Sequence, residues 1–336
     1  MDVNPSGIPV VIVAFPGTPL LEIAGPSDVF YHAGKVSIRL TEEKSAYELI
    51  VVSADGSDRV MTRSGIELAC PVKFTDIKQP IDTLLIAGYS FENEDTGFID
   101  FFNWLGFVYP KVRRMGSICV GTFALAKAGL LNGKKVTTHW DKEKGLHQRY
   151  PEINVDSSHF FLRDGNIYTS GGVSSGTDLA LALVEEDYGR DIALAVARHL
   201  VLYLKRPGFQ SQFGELLTEP DAGHGILTKL HEWMVHHLDK DLSVEQLALQ
   251  SNMSPRNFAR VFLKDTGMTP AKFVEKLRVE MARKLLQDTD LTIEQIVEKC
   301  GLGSMVSMRR VFLRNLMVTP SDYRRTFRTS LTEQVA

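Results

Sequence analysis

The last hundred residues contain the same helical unit twice, and no other feature restricts the possible folds as strongly. The stretch SVEQLALQSNMSPRNFARVFLKDTGMTPAKF (243–273) aligns with TIEQIVEKCGLGSMVSMRRVFLRNLMVTPSDY (292–323). Glu245-Gln246 match Glu294-Gln295 at an offset of 49, while Arg260 matches Arg310 and Thr269-Pro270 match Thr319-Pro320 at 50. The change of offset predicts one extra residue in the second copy's turn, near Gly303. Each copy opens with a hydroxyl residue three positions before a glutamine (Ser243/Gln246, Thr292/Gln295), the spacing of a capping box that satisfies free N–H groups at a helix start. A short helix with inward Leu247 or Ile296 follows. The next turn carries Asn252 or Gly301, residue types that tolerate left-handed backbone. Ser254-Pro255 then reads as an N-cap followed by proline at the first helical position. The second helix is expected to bury Phe258, Val261 and Phe262 in one copy and Met308, Val311 and Phe312 in the other.

Helix, tight turn and helix with a basic outer face is the shape that lays a helix in a major groove of double-stranded DNA. Between the copies runs PAKFVEKLRVEMARKLLQD, where Phe273, Leu277, Met281 and Leu285 recur every four residues as one apolar stripe. A rigid helix of roughly 27 Å, at ~1.5 Å per residue, would hold two recognition helices about one DNA turn apart, ~34 Å. The competing use of such a repeat is protein contact, but the turn chemistry and basic faces suit DNA. Arg256, Asn257 and Arg260 are the base-edge candidates of the first copy, because Arg and Asn make bidentate contacts to G and A. Ser304, Ser307, Arg309 and Arg310 form a less polar set in the second copy, suited to phosphate and shape. Lys264 and Arg314 are the candidate phosphate clamps. The charge distribution agrees: from His224 onward there are 17 Lys+Arg against 13 Asp+Glu, whereas the preceding residues carry 21 against 28. A basic tail on an acidic body suits a polyanion partner for the tail alone.

Ahead of the repeat the pattern is different. Apolar, β-branched runs alternate with helical stretches: PVVIVAF (9–15), ELIVVSA (48–54), TLLIAG (83–88), MGSIC (115–119) and KVTTH (135–139) read as strands. Helix-like LLEIAGPSDVFYHA and VGTFALAKAGLL lie between them. Continuous apolar strands alternating with helices predict a parallel sheet covered on both faces. A hairpin follows, turning at Asp164-Gly165-Asn166. Residues 177–205 read as nearly all helix, broken around Tyr188-Gly189-Arg190. The cluster Pro207, Gly208, Gly214, Pro220, Gly223 and Gly225 then marks a linker. The 336 residues are too many for one typical core, and the boundaries expected are 1–205 (α/β domain), 206–223 (linker), 224–328 (helical domain) and 329–336 (tail). Three scattered cysteines, Cys70, Cys119 and Cys300, imply neither a disulfide framework nor a metal site and fit a reducing compartment. The N-terminus lacks the basic region of a signal peptide, and 10–15, the longest early apolar run, is far short of a membrane span. A cytoplasmic protein without membrane contact, metal or cofactor is expected.

In the α/β part, GSICVGTFALAKAGLL sets Cys119 between a strand and a helix, flanked by glycines, the geometry of a nucleophile elbow. A thiol there would have its thiolate favoured by the helix dipole. Gly171 and Gly172 precede a helix and are candidates to cradle an anionic group with backbone N–H donors, or serve only to turn the chain. His139 at a strand end is either a site residue or structural. Tyr89 and Phe91 are candidates for a pocket mouth.

Two resemblances join these readings. The segment 226–327 resembles the AraC/XylS-type DNA-binding domain, with Met317 where that family usually has glycine, as Gly267 is in the first copy. The segment around Cys119, with LEIAGPSDVF, TTHW, SGGVSSGTDLAL and LKRPGFQSQF, resembles the PfpI-like, class I glutamine-amidotransferase-like fold, and more narrowly the GlxA-type regulators that join such a domain to an AraC-type tail. The resemblance implies a flavodoxin-like parallel sheet domain followed by an all-α domain with two helix-turn-helix motifs. It places Glu22 beside Cys119 in a ligand pocket with Gly88, Tyr89, Val120 and His139. Tyr89 stands where relatives have a second glycine, and Val120 stands where the superfamily's proteases have the catalytic histidine, which disfavours peptidase or amidase chemistry. The isonitrile-hydrating relatives also lack that histidine. A transcription factor is therefore expected, controlled by an amino-acid-like or betaine-like effector, acting as a homodimer with double-stranded DNA and RNA polymerase as partners. Its rivals are a hydratase-like enzyme using Cys119 and Glu22, and a thiol redox sensor.

Overall fold

The computed structural model describes residues 7–41, 47–89, 98–156, 158–204, 210 and 225–327, in two compact units, Met1–Arg206 and Pro207–Ala336. The expected linker, with Pro207, Gly208, Gly214, Pro220 and Gly223, lies outside the described residues but for Gln210, as do Phe91 and the tail from 329.

Unit 1 runs β1 (Ile8–Ala14), α1 (Leu21–Thr41), β2 (Tyr47–Ser53), β3 (Arg59–Met61), β4 (Glu67–Ala69), β5 (Thr83–Ala87), α2 (Ile99–Val108), β6 (Arg114–Ile118), α3 (Gly121–Lys127), β7 (Lys135–Val136), α4 (Glu143–Arg149), β8 (Asn154–Val155), β9 (Phe161–Asp164), β10 (Ile167–Ser170) and α5 (Ser175–His199). Six strands form one sheet in the order β2-β1-β5-β6-β10-β9, parallel except for the β9–β10 hairpin. Strand side chains alternate between two cores. Val11, Val13, Leu84, Ile86 and Met115 pack with Phe101, Leu105 and Phe123 on one face. Val10, Ile12, Leu85 and Ile118 pack with Phe30, Leu179 and Leu183 on the other. Both faces are thus dry, which is why these strands read as unbroken apolar runs. The break expected in the last helix is present: α5 is interrupted at Gly189, with φ 81 and ψ 171.

One expected strand fails. Residues 135–139 contribute only β7, which pairs with β8 outside the main sheet. Beyond it the chain bonds to side chains instead of a ladder: the Thr137 N–H donates to Thr169 Oγ1 at 2.8 Å, and Thr138 Oγ1 donates to the Cys119 carbonyl at 3.0 Å. The β3–β4 hairpin was not legible in sequence, because three-residue strands carry too little alternation.

Unit 2 runs α6 (Gly225–His236), α7 (Val244–Gln250), α8 (Pro255–Thr266), α9 (Pro270–Asp288), α10 (Ile293–Lys299), α11 (Met305–Leu316) and α12 (Pro320–Phe327). No helix among the described residues is long and apolar enough to cross a membrane. The α7–α8 turn passes through left-handed Asn252 (φ 53), and the α10–α11 turn through Gly301 (φ 60) and Gly303 (φ 77). The second turn is one residue longer, and Gly303 absorbs it. A Cβ on Gly301 would lie 2.1 Å from the Leu238 carbonyl oxygen, so close approach as well as backbone angle requires glycine there.

Three expectations are corrected. The capping box is complete only at Thr292, where Gln295 returns its side chain to the cap N–H. Ser243 caps its helix, but its own N–H is taken by Asp241 at 2.9 Å, leaving Gln246 nothing to cap. Val261 is half-buried, unlike Phe258 and Phe262. Helix α9 shows two apolar faces instead of one stripe: Phe273, Val274 and Leu277 join the first repeat's core, while Val279, Ala282 and Leu286 join the second's, with Met281 touching both. An integral helix shared by two cores needs both faces.

Met317 ends α11 in left-handed conformation (φ 57, ψ 25), where Gly267 ends α8. A left-handed non-glycine residue costs about 1–2 kcal/mol, and this side chain is half exposed. Met317→Gly is expected to stabilise unit 2 by about 1 kcal/mol, read as a higher denaturation midpoint at unchanged m.

Candidate functional site

The chain winds one way from β1 to β2 and the other from β5 to β6, so a crevice opens at the carboxyl ends of these strands. A cavity of about 660 Å³ occupies it, lined among others by Thr18, Glu22, Arg63, Gly88, Tyr89, Cys119, Val120 and His139. Gly88 (φ 57) has no alternative there: a Cβ would stand 2.2 Å from Thr18 Oγ1, which donates to the Ala87 carbonyl at 3.0 Å. The β3–β4 hairpin is pinned over the β1–α1 loop by Gly17 N–H to the Met61 carbonyl (2.9 Å) and Arg63 N–H to the Thr18 carbonyl (3.1 Å). That brings Arg63 to the cavity from forty residues away.

Glu22 is 0% exposed, yet among the described residues neither carboxyl oxygen has a hydrogen-bond partner. Burial pushes its pKa up to about 7. The Cys119 thiol, the Gly88 N–H and the Arg63 guanidinium lower it, without a well-formed hydrogen bond and without overcoming burial. A buried, unpaired carboxyl on a cavity wall is costly unless something else pairs it. Cys119 adopts φ 57 between β6 and α3, the strained backbone of a nucleophile elbow. Its thiol is held protonated, contrary to the dipole expectation. Burial raises its pKa first, the Glu22 charge adds to this, and the Val120 N–H opposes it only partly.

His139 lines the cavity and also caps the following turn, its Nδ1 accepting the Asp141 N–H at 3.3 Å. Burial lowers its pKa. Tyr89 lines the cavity from a nest of Phe15 and Phe102, with its hydroxyl accepting from Lys127 Nζ at 3.1 Å. Gly171 and Gly172 do not form the expected anion cradle. The Gly171 N–H donates to the Phe160 carbonyl (2.8 Å) and the Gly172 N–H to Ser175 Oγ (2.6 Å); both serve to turn the chain. Arg63 and Thr18 also line the cavity, and neither was singled out in the sequence.

In unit 2, Ser254 and Ser304 cap α8 and α11 by accepting the N–H of Asn257 and Ser307. Arg256, Asn257, Arg260 and Lys264 are exposed on α8, away from buried Phe258 and Phe262. Arg260 Nη2 donates to Asn257 Oδ1 at 2.9 Å, which ties the two side chains together on the exposed face. Arg309 and Arg310 are exposed on α11, and Ser307 is partly so. Arg314 is corrected: Glu275 on α9 pairs with it and also accepts from Asn315 Nδ2 at 3.1 Å. Its charge is neutralised within the protein, which leaves it poorly suited as a phosphate clamp. Met305 and Val306, in the first turn of α11, are exposed by 49% and 68% and were not singled out in the sequence.

An α/β domain with a cysteine elbow beside a buried glutamate, followed by paired helix-turn-helix units, defines the class. Residues 9–186 match the DJ-1/PfpI family, to which the chain belongs, and residues 247–326 match a helix-turn-helix domain. The chain is 28% identical over 278 residues to the HTH-type transcriptional regulator CdhR of Pseudomonas aeruginosa, covering 83% of this chain and 82% of that one. It is 30% identical over 212 residues to the HTH-type transcriptional regulator GlxA of Rhizobium meliloti, covering 63% and 65%. An isonitrile hydratase of Pseudomonas putida is 31% identical over 212 residues, covering 62% of this chain and 83% of the enzyme.

Proposed function

We propose that this protein is a sequence-specific DNA-binding transcription regulator whose activity is set by a small zwitterionic metabolite held at Glu22. The DNA-binding part rests on two capped recognition helices carrying exposed Arg256, Asn257, Arg260, Arg309 and Arg310, and its relatives are HTH-type transcriptional regulators. The observation that carries the effector is the orphaned Glu22 carboxyl on the cavity wall. An ammonium group pairs with it as a charge-assisted hydrogen-bond donor, and exposed Arg63 suits a carboxylate at the mouth. Lys142 is already paired with Asp141 at 3.2 Å. An amino-acid-like ligand fits better than a betaine, because its ammonium group donates hydrogen bonds that a quaternary ammonium lacks.

Enzyme activity fits less well, despite the isonitrile hydratase relative. The thiol lacks thiolate character, which nucleophilic and redox chemistry both require. Cys119→Ser is accordingly expected to leave effector-dependent promoter activation within about two-fold, since serine preserves shape but not nucleophilicity; loss of the response would favour covalent or redox chemistry. Homodimerisation through unit 1 belongs to the same reading, because linked DNA-binding tails gain from two half-sites, as does contact with RNA polymerase at a promoter in the cytoplasm. Light scattering at micromolar concentration tests the dimer, and a monomer that still binds paired sites tightly would contradict it.

The reading is tested by selecting sites from random duplexes with the full chain. Arg256→Ala should then weaken the selected site by ~1–3 kcal/mol and relax one position. A loss uniform across sequences would make Arg256 a phosphate contact, and absence of any selected site would refute DNA recognition. A melting-temperature screen against amino acids and betaines tests the effector, because ligand binding raises the midpoint by mass action.

A further inference from the structure

We propose that the second helix-turn-helix unit reads thymine methyl groups through Met305 and Val306, so that the two units of one chain read different base chemistry. The proposal rests on the DNA-binding reading above. At the repeat offset of 50, Val306 takes the place of Arg256 and Met305 that of Pro255. Both lie in the first turn of the twelve-residue α11, the part of a recognition helix that contacts base edges. Val306 is 68% exposed and Met305 49%, while Met308, Val311 and Phe312 of the same helix fill the core. Folding therefore gives no reason for apolar side chains at these two positions, where the first copy carries a proline and an arginine.

Thymine is the one base that presents a methyl group in the major groove, so an apolar side chain there discriminates by contact with it. The surroundings suit DNA over a protein partner. Exposed Arg309 and Arg310 and half-exposed Ser307 flank the pair, and an apolar protein surface would have to desolvate those cations without compensation. The first copy, with Arg256 and the bonded Arg260–Asn257 pair, is equipped for the hydrogen-bonding edges of purines. The second is equipped for methyl groups and backbone. An asymmetric site follows, one half fixed by purine positions and the other by thymines.

The test uses the full chain on a site selected from random duplexes, with each thymine replaced in turn by deoxyuridine, which lacks only the 5-methyl. One or two replacements within one half-site are expected to weaken binding about four-fold each, the transfer value of one apolar carbon. That sensitivity disappears in Val306→Ser or Met305→Ser, and Val306→Arg shifts the preferred base from T toward G, as an arginine does. Unchanged helical content by circular dichroism confirms that these surface variants fold. Uridine tolerated at every position, or a uridine effect identical in all three variants, overturns the proposal while leaving DNA binding intact. Failure to select any site overturns the proposal and the DNA-binding reading together.

Discussion

Replacing Glu22 by Gln is expected to stabilise the ligand-free protein by about 3 kcal/mol at pH 8 and hardly at all at pH 4, while abolishing its response to the effector. The folded carboxyl titrates near 7, above its ordinary value of 4.5. Between those values the native state holds a proton that the unfolded chain has released, so stability falls as pH rises through this window. Below it both states are protonated and there is no penalty. Above it the full difference is present, at 1.36 kcal/mol per unit. Glutamine keeps the volume and carries no charge to desolvate. For a unit of this size the gain corresponds to roughly 6–10 °C in Tm. Effector affinity moves the opposite way, strengthening as pH rises toward 7 because the ammonium group requires the ionised carboxylate. A residue that destabilises the empty protein and is required for its response is the signature of a binding group. A Glu22→Gln variant with unchanged stability at pH 8 would mean that the carboxylate is paired or solvated.

Arg114→Ala is expected to destabilise unit 1 by ~3–5 kcal/mol, the consequence of breaking a buried ion pair from one side. Arg114 and Asp187 are 2% and 3% exposed, with Nη2 2.5 Å from Oδ2. Arg114 Nε also donates to Thr83 Oγ1 at 3.0 Å, and Tyr47 donates its hydroxyl to Asp187 at 2.7 Å. Arginine is able to satisfy several acceptors at once through its planar fork. Arg114 opens β6, and Cys119 follows its last residue, so the network lies at the far end of the strand from the cavity. Chemical denaturation should therefore show the loss without a change in effector affinity at pH 8. The double variant Arg114→Met/Asp187→Leu should recover much of it, since an apolar pair of similar volume leaves no orphaned charge. A single variant within 1 kcal/mol of the parent would show that Arg113, 2.8 Å from Asp187, suffices alone.

What the sequence discloses and what it hides follow from the range of the interactions. Caps, turns and periodicity act within a few residues. The helix start at Thr292, the left-handed Asn252, the extra residue at Gly303, the strained Met317 and the break at Gly189 were therefore all legible. Contacts across dozens of residues were not. Arg63 reaches the cavity only because a short hairpin folds over the β1–α1 loop. Glu275 captures Arg314 from another helix. Phe160 and Ser175 take the N–H groups of Gly171 and Gly172. The Gln246 cap failed for a local reason that spacing hides, since Asp241 competes for the same donor. Helix α9 looked single-faced because its spacing of four records one core at a time. Cys119 was legible at its glycine-flanked strand–helix junction and Glu22 came from resemblance, but it took burial to reverse the expected thiolate.

The central claim is that α8 and α11 grip a specific duplex. Its most direct test is the affinity of the full chain for a selected site and for a random duplex across 50–200 mM salt. Specific binding ~10³-fold or more above random, with affinity falling by ~10³–10⁵ over that range if six to ten phosphates are contacted, is the expected result. Weak binding equal on both duplexes, or affinity indifferent to salt, would contradict it.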